Sequence, residues 1–489
     1  MKKFAIVLIA ASLLWCRPVL NGRVVSLAME DDIITLDPHR HNDSITNSVL
    51  FNIYDALVAF DAEMQIVPAL AINWENYDEQ TWRFYLRSGV KFHDGRKLTS
   101  RDVKYSLERA SKTNVGQYLS SVSRINIIDN LTLEIITAKP APLLLNKLCF
   151  IAIIPEMSSD SIDRPVGTGA YRFESYIPGE SMTLTANPDF WRGKPQIKKA
   201  VIVVIPNDSV RCQALFNGQV QVIRDVGERY LNELKNSKEV QYFSRPGLGV
   251  SLMGINMKMA GPLSKRKVRQ AIYLALDPKL LISESKAEAE PTDQLVTPYI
   301  VGYLPKFSSQ RPQIEKALKL LKEAGYPSGF TVGLEMTMAT ALRSGPHIAR
   351  QLGKMGIKVN IKAYDWQEMY ERLDKGKSPF FLIGWSNNTG DASDFNEACL
   401  HTKDKGSYGN ANWGGYSNRE LDRLIENSQS IIDSKKRITV LHQIMLKALD
   451  DLPYIPLYVR SRTYGVSRQI SFHPRQDGQI NLFDMGYSR

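Results

Sequence analysis

Residues 81–110 read TWRFYLRSGVKFHDGRKLTSRDVKYSLERA, and their patterning decides between a catalytic cluster and a structural one. Trp82, Phe84 and Leu86 alternate with Arg83, Tyr85 and Arg87, the period of two that marks a half-buried strand. Ser88-Gly89 then turns the chain toward Val90 and Phe92, which predicts a hairpin. Asp94-Gly95 is a turn dipeptide, because glycine tolerates positive φ and an aspartate side chain bonds nearby backbone. Thr99 to Asp102 reads as a capping box, with Asp102 in a first helical turn whose dipole favours negative charge. Val103, Leu107 and Ala110 fall on one face of the helix that follows, and Lys104 and Glu108 form a surface pair. Each candidate catalytic group in this crowded span, Asp94, Asp102 and Glu108, has a structural job; His93 alone has none.

The bulk numbers bound the rest. At 489 residues the chain is too long for a single compact core, so two or more domains are expected. No repeat, low-complexity stretch or Pro/Gly/Ser-rich linker separates them, so structured chain must cross any border. The net charge of +11 raises nucleic acid, an anionic membrane or an acidic ligand as partners. The 62 basic residues are dispersed, however, with no run longer than three such as Lys265-Arg266-Lys267. No nucleic-acid-binding signature accompanies them, so they read as a solvated surface.

The first residues carry a targeting signal. Lys2 and Lys3 precede an apolar stretch from Phe4 to Trp15, too short to span a bilayer and suited to export. Cys16 is a candidate lipidation site: Leu13 fits a lipoprotein box, whereas Trp15 stands where a small residue is usual. The competing cleavage pattern, Ser26-Leu27-Ala28, would cut into a strand expected over residues 23–28. Cys149, Cys212 and Cys399 are an odd number without zinc-site spacing, and Cys149 in LCFIAII reads as a small core residue.

Strand and helix periods alternate along the chain, giving a mixed α/β fold. A helix is expected over residues 47–58. Gly167-Thr168-Gly169 lacks the third glycine and the strand-to-helix setting of a dinucleotide fingerprint, and Tyr171, Phe173 and Tyr176 continue it as a strand. Met253, Met257 and Met259 read as core filling. Ser417 to Glu420 reads as a second capping box ahead of an amphipathic helix with Leu421, Leu424 and Ile425. No GxSxG, P-loop, HExxH or paired-cysteine motif occurs. His39 and His41 are a weak metal signal on a loop. An exported hydrolase using His93 with Asp94 or Asp102 is the rival hypothesis, and the sequence nominates no nucleophile or metal for it.

Taken in order, these segments resemble the extracytoplasmic solute-binding proteins of family 5, which serve peptide, nickel and related ABC importers. ITLDPHR with NIYDALV, PALAINWE with the block quoted above, RPVGTGAYRFESY, NPDFWRGKP, KRKVRQAIYLALD, KALKLLKEAGYPSGF, GWSNNTGDASDF and GGYSNRELDRLI carry the resemblance. It runs from about residue 24 to 460. It implies a two-lobe periplasmic-binding-protein fold of the type II, large peptide-binding class, with a two-stranded hinge and an extra subdomain in lobe I. By analogy the export signal region is 1–22, lobe I is 23–257, lobe II is 258–460, and 461–489 returns to lobe I. It also implies capture of a small solute, short peptide by default, and delivery to membrane permease subunits with separate ATPase subunits. A monomer is expected in the periplasm or on the outer face of the membrane. No enzyme activity, cofactor, metal or nucleic acid is implied.

The resemblance also nominates a site. Peptide-binding members hold the ligand's α-amino group on an aspartate three residues after the GW tryptophan. Here Trp385 is followed by Ser386, Asn387 and Asn388, so an amide stands where the countercharge is expected. Asn accepts a hydrogen bond but cannot neutralise a buried ammonium. Asp391 is the nearest acid. Arg343 lies near the arginine that receives a ligand carboxylate, and Asn42, Asp43 and Ser44 occupy a lobe I loop that meets ligand. Trp385 offers an apolar face or packs in lobe II. The amide at 388 shifts weight toward sugars or oligosaccharides, metal chelates, or peptides held differently.

Overall fold

A computed structural model describes residues 24–406 and 408–488 of the chain. The expected export signal over 1–22, the candidate lipidation site Cys16 and the expected strand's first residue, Arg23, lie outside the described residues. No helix among the described residues is long and apolar enough to cross a membrane.

The protein has two α/β lobes threaded by one eleven-stranded sheet. Two strands run through both lobes: Val240–Ile255 and Tyr454–Ser467 pair antiparallel along most of their length. Their register breaks between Pro246 and Val250. Proline has no amide to give the ladder, and such an irregularity bends a strand. On one side of the break, Tyr454–Ser467 pairs with Val222–Arg224 and the sheet continues through Val24–Met29 and Lys199–Val204. On the other, Val240–Ile255 pairs with Phe380–Ser386, next to Thr331–Thr337 and Lys358–Tyr364.

The cores divide the same way. One apolar cluster runs from Leu248 to Val459 and takes in Met64. A second joins Val25 and Leu27 to Tyr171, Leu184, Tyr464 and Val466. A third fills the extra subdomain, where Ala71–Asn76, Thr81–Leu86, Thr132–Thr137 and Val122–Asp129 form a four-stranded antiparallel sheet under the helix Ser100–Ala110.

The strand over 81–86 is present, but its partners are Ala71–Asn76 and Thr132–Thr137 rather than 90–92. Instead, Val90 to Leu98 folds on itself: Phe92 N–H donates to Arg96 O and Leu98 N–H to Val90 O, around the Asp94-Gly95 turn. Asp102 completes the capping box, accepting Thr99 N–H at 2.8 Å, and its other oxygen takes Glu156 N–H. The helix expected over 47–58 is instead Ser44–Leu50. Past it, Ile53 O accepts from Gly169 N–H and Asn52 O from Tyr171 N–H, so pairing with a distant segment overrides helical periodicity. That close approach explains the Gly-Thr-Gly stretch, since a Cβ on Gly167 would sit 2.1 Å from Ile53 O. At the second expected box the cap is Asn418, which accepts from Glu420 and Leu421 N–H, and not Ser417.

Candidate functional site: the cleft between the lobes

His93, the one unexplained group of the opening stretch, is spent on backbone. Its Nδ1 accepts Gly167 N–H, and its Nε2 lies 3.0 Å from Gly169 O. Burial pushes its pKa down to about 4, so at neutral pH it is an uncharged strut between two loops. His39 is likewise buried, between Ala152 O and the Arg109 guanidinium, which makes the His39–His41 loop structural.

The residues nominated around the GW motif split into two groups. Trp385 is half-buried, with its ring edge-on to Phe395 and Trp413 in the core of lobe II. Asn387 is fully buried, and its Oδ1 accepts Phe395 N–H. Asp391 is 1% exposed, and both its oxygens are taken by Arg437, at 2.6 and 2.8 Å. The expectation that Asp391 meets ligand is therefore corrected: it holds a buried ion pair inside lobe II. Asn388 alone of the turn's asparagines is exposed.

Across from this turn, Asn42 and Ser44 are exposed, and Asn42 Oδ1 accepts the Tyr118 hydroxyl at 2.8 Å. Asp43 is the N-cap of Ser44–Leu50, its Oδ1 accepting Thr46 N–H, so its carboxylate serves the helix start. The lobes touch here, where Asn146 of the extra subdomain donates to Thr389 O at 2.7 Å. Two acids lie beside that contact. Burial pushes Asp394 up to about 6, against the Thr389 hydrogen bonds that pull it down. Burial likewise pushes Glu397 up to about 7, opposed by Lys147 on the facing lobe.

A cavity of about 870 Å³ lies between the lobes on the side of Arg343. Its lobe I wall is built where parallel strands end: Glu30 follows Val24–Met29, Pro206 and Asn207 follow Lys199–Val204, and Asp225 follows Val222–Arg224. Its lobe II wall is Thr337 to Ser344, Trp366 and Leu382 to Gly384. Ser251, Tyr458 and Arg460 of the two shared strands lie at its back. A crevice outside the carboxyl ends of open-sheet strands is where α/β folds bind ligands. Arg343 does line it, with its guanidinium 3.0 Å from Glu228 of lobe I. Trp366, unmarked in the sequence reading, starts the helix Trp366–Asp374 and leaves 60% of its surface exposed. An exposed tryptophan in a concave site is a candidate contact for an apolar ligand group.

A sequence model of the bacterial extracellular solute-binding proteins, family 5 (middle region), matches residues 65–407. The chain belongs to that family. It is 27% identical to heme-binding protein A of Haemophilus influenzae over 83% of this chain and 81% of the relative. It is 26% identical to the dipeptide-binding protein of Escherichia coli over 82% of each. The fold of HbpA2 from Haemophilus parasuis superposes with a TM-score of 0.85 at 22% identity, covering 96% of this chain and all of that one. As a family 5 protein the chain is an extracytoplasmic substrate-binding component of an ABC importer, and proteins of this family bind their solutes rather than transform them.

Proposed function

We propose that this chain captures a short peptide in the cavity between its lobes and presents the closed complex to membrane permease subunits driven by separate ATPase subunits. The observation that carries the reading is the open cavity itself, walled by both lobes, lined by many charged groups and faced by one exposed tryptophan. Its size exceeds that of an amino acid and suits a ligand of a few residues. The dipeptide-binding relative supports the class. Closure is a hinge motion about the register break at 246–250 and the facing segment 459–463, where Gly247 and Gly249 leave the shared strands thin. On this reading the lobe border falls some ten residues before position 258 on the outgoing strand.

Trp366 packs against an apolar part of the ligand, whereas Asn42, Ser44 and Asn388 are exposed beside the other lobe contact and outside this cavity's lining. Arg343 gives one N–H of its half-exposed guanidinium to Glu228 at 3.0 Å and keeps further donors free for an anionic ligand group. No covalent chemistry is involved. Calorimetry with a pool of di- and tripeptides tests the reading: saturable binding weakened at least tenfold by Trp366→Ala is expected. Absence of any heat with peptides, alongside a non-peptide solute in native mass spectra of protein from its own host, would overturn the peptide class.

A further inference from the structure

The cavity's charges can be paired off one by one, and the remainder is informative. Five carboxylates line it: Glu30, Asp208, Asp225, Glu228 and Glu288. Glu30 is held by Arg224, Asp208 by Arg229, Glu228 by Arg343 and Glu288 by Lys235. Among the cations lining it, Arg211 spends its guanidinium on four backbone carbonyls, those of Ile205, Pro206, Arg224 and Asp225. Arg229 and Arg343 are paired as above. Among the described residues, two charged side chains of the lining have no hydrogen bond or ion pair: Asp225 and Arg460.

Asp225 is also held in an unusual backbone state. Its φ is +54°, in the left-handed region that non-glycine residues rarely occupy. The surroundings enforce it: Asp225 N–H donates to Thr463 O at 2.9 Å, and its carbonyl accepts from Arg211 at 2.8 Å. A disfavoured conformation pinned from both sides, with a side chain that bonds nothing in the protein, is what a ligand contact kept against local preference looks like. Arg460 stands three residues before Thr463 on the shared strand. At the rise of an extended chain Arg460 and Thr463 are about 10 Å apart along the strand, so Asp225, bonded to Thr463, stands apart from Arg460 on the same cavity. Arg462, outside the lining with its stem against Gly478, and Arg224 are close enough to attract the Asp225 carboxylate without hydrogen-bonding it.

We propose that Asp225 and Arg460 are the terminal anchors of a zwitterionic ligand, Asp225 taking its ammonium group and Arg460 its carboxylate. This rests on the peptide reading above and deepens it. It answers the missing countercharge at Asn388: the acid is supplied from lobe I and the hinge side rather than from the GW turn. It also separates Arg460 from Arg343, whose charge is already partly balanced by Glu228. Both side chains are exposed in the open cleft and solvated there; closure would strip that water, which charge-assisted hydrogen bonds to the ligand's termini replace.

The test is a cycle of termini against side chains, read by calorimetry with trialanine, N-acetyl-trialanine and trialanine amide. Wild-type protein should bind trialanine and lose about 10- to 100-fold for each blocked terminus, the size of one hydrogen-bonded charge. Asp225→Asn keeps the shape and tolerates the left-handed backbone. It should erase the penalty for N-acetylation while keeping that for amidation. Arg460→Gln should do the reverse, and Arg343→Gln should keep both penalties. Both anchor variants should melt with the wild type, because neither side chain bonds the protein. Peptide binding with penalties insensitive to Asp225→Asn and Arg460→Gln would overturn the assignment and leave the peptide reading standing. An amidation penalty erased by Arg343→Gln would move the carboxylate to that residue. No binding of any of the three peptides would bring down the peptide reading and this assignment with it.

Discussion

Asp391→Ala separates a structural acid from a ligand contact. The wild-type carboxylate takes two hydrogen bonds from Arg437, and the side chains are 2% and 6% exposed. Arg437 also bonds Ser428 O and Ser393 Oγ, so it cannot swing out to water when its partner is removed. Leaving one member of a buried pair unmatched costs about 3–5 kcal/mol. If lobe II melts as a unit of roughly 200 residues, that lowers its midpoint by about 10 °C. Scanning calorimetry of Asp391→Ala reads the loss. The double variant Asp391→Ala with Arg437→Met should recover most of it, since no buried charge is then stranded. Peptide affinity of the folded protein should stay within about twofold. Unchanged melting together with a tenfold loss of affinity would show the acid facing ligand and refute the reasoning.

Three smaller perturbations follow from single contacts. The Glu397 carboxyl is raised from its ordinary 4.5 to about 7, so the folded state holds an extra proton between those values and loses stability as pH rises through them. Glu397→Gln should therefore raise stability by on the order of 1–3 kcal/mol at pH 8, with the gain gone below about pH 4.5 in denaturant titrations. His93 has the opposite sign: a pKa lowered to about 4 means stability lost as pH falls below 6.5, and His93→Gln should flatten that slope. Asn418→Ala should cost about 1 kcal/mol as a lost helix cap, while Ser417→Ala should be neutral by the same chemical denaturation.

Much of the fold was legible because it is written locally. The alternation at 81–86, the Asp94-Gly95 turn and the Thr99–Asp102 box each depend on neighbours in sequence, and each formed where the pattern placed it. What failed was pairing. The strand at 81–86 found one partner about ten residues back and another about fifty residues on, and the helix begun at Ser44 stopped at Leu50 because Asn52 and Ile53 pair with the 169–171 segment. The site shows the same limit. The family's motif marked the GW turn, yet Asp391 in that turn turned inward to Arg437, a residue 46 positions on. Asp225 and Arg460 carry no motif at all. They matter only by what surrounding charges leave unpaired, which no linear reading shows. Trp366 had a weaker signal, a lone DW ahead of a helix that reads equally as core.

Hydrogen exchange with and without trialanine tests the central claim, that a solute is buried between the lobes at this cavity. Protection should rise together on both walls: at 225–230 in lobe I, at 337–344 and 382–388 in lobe II, and along the shared strands near 246–250 and 459–463. Protection confined to one lobe, with the shared strands unchanged, would contradict capture by closure.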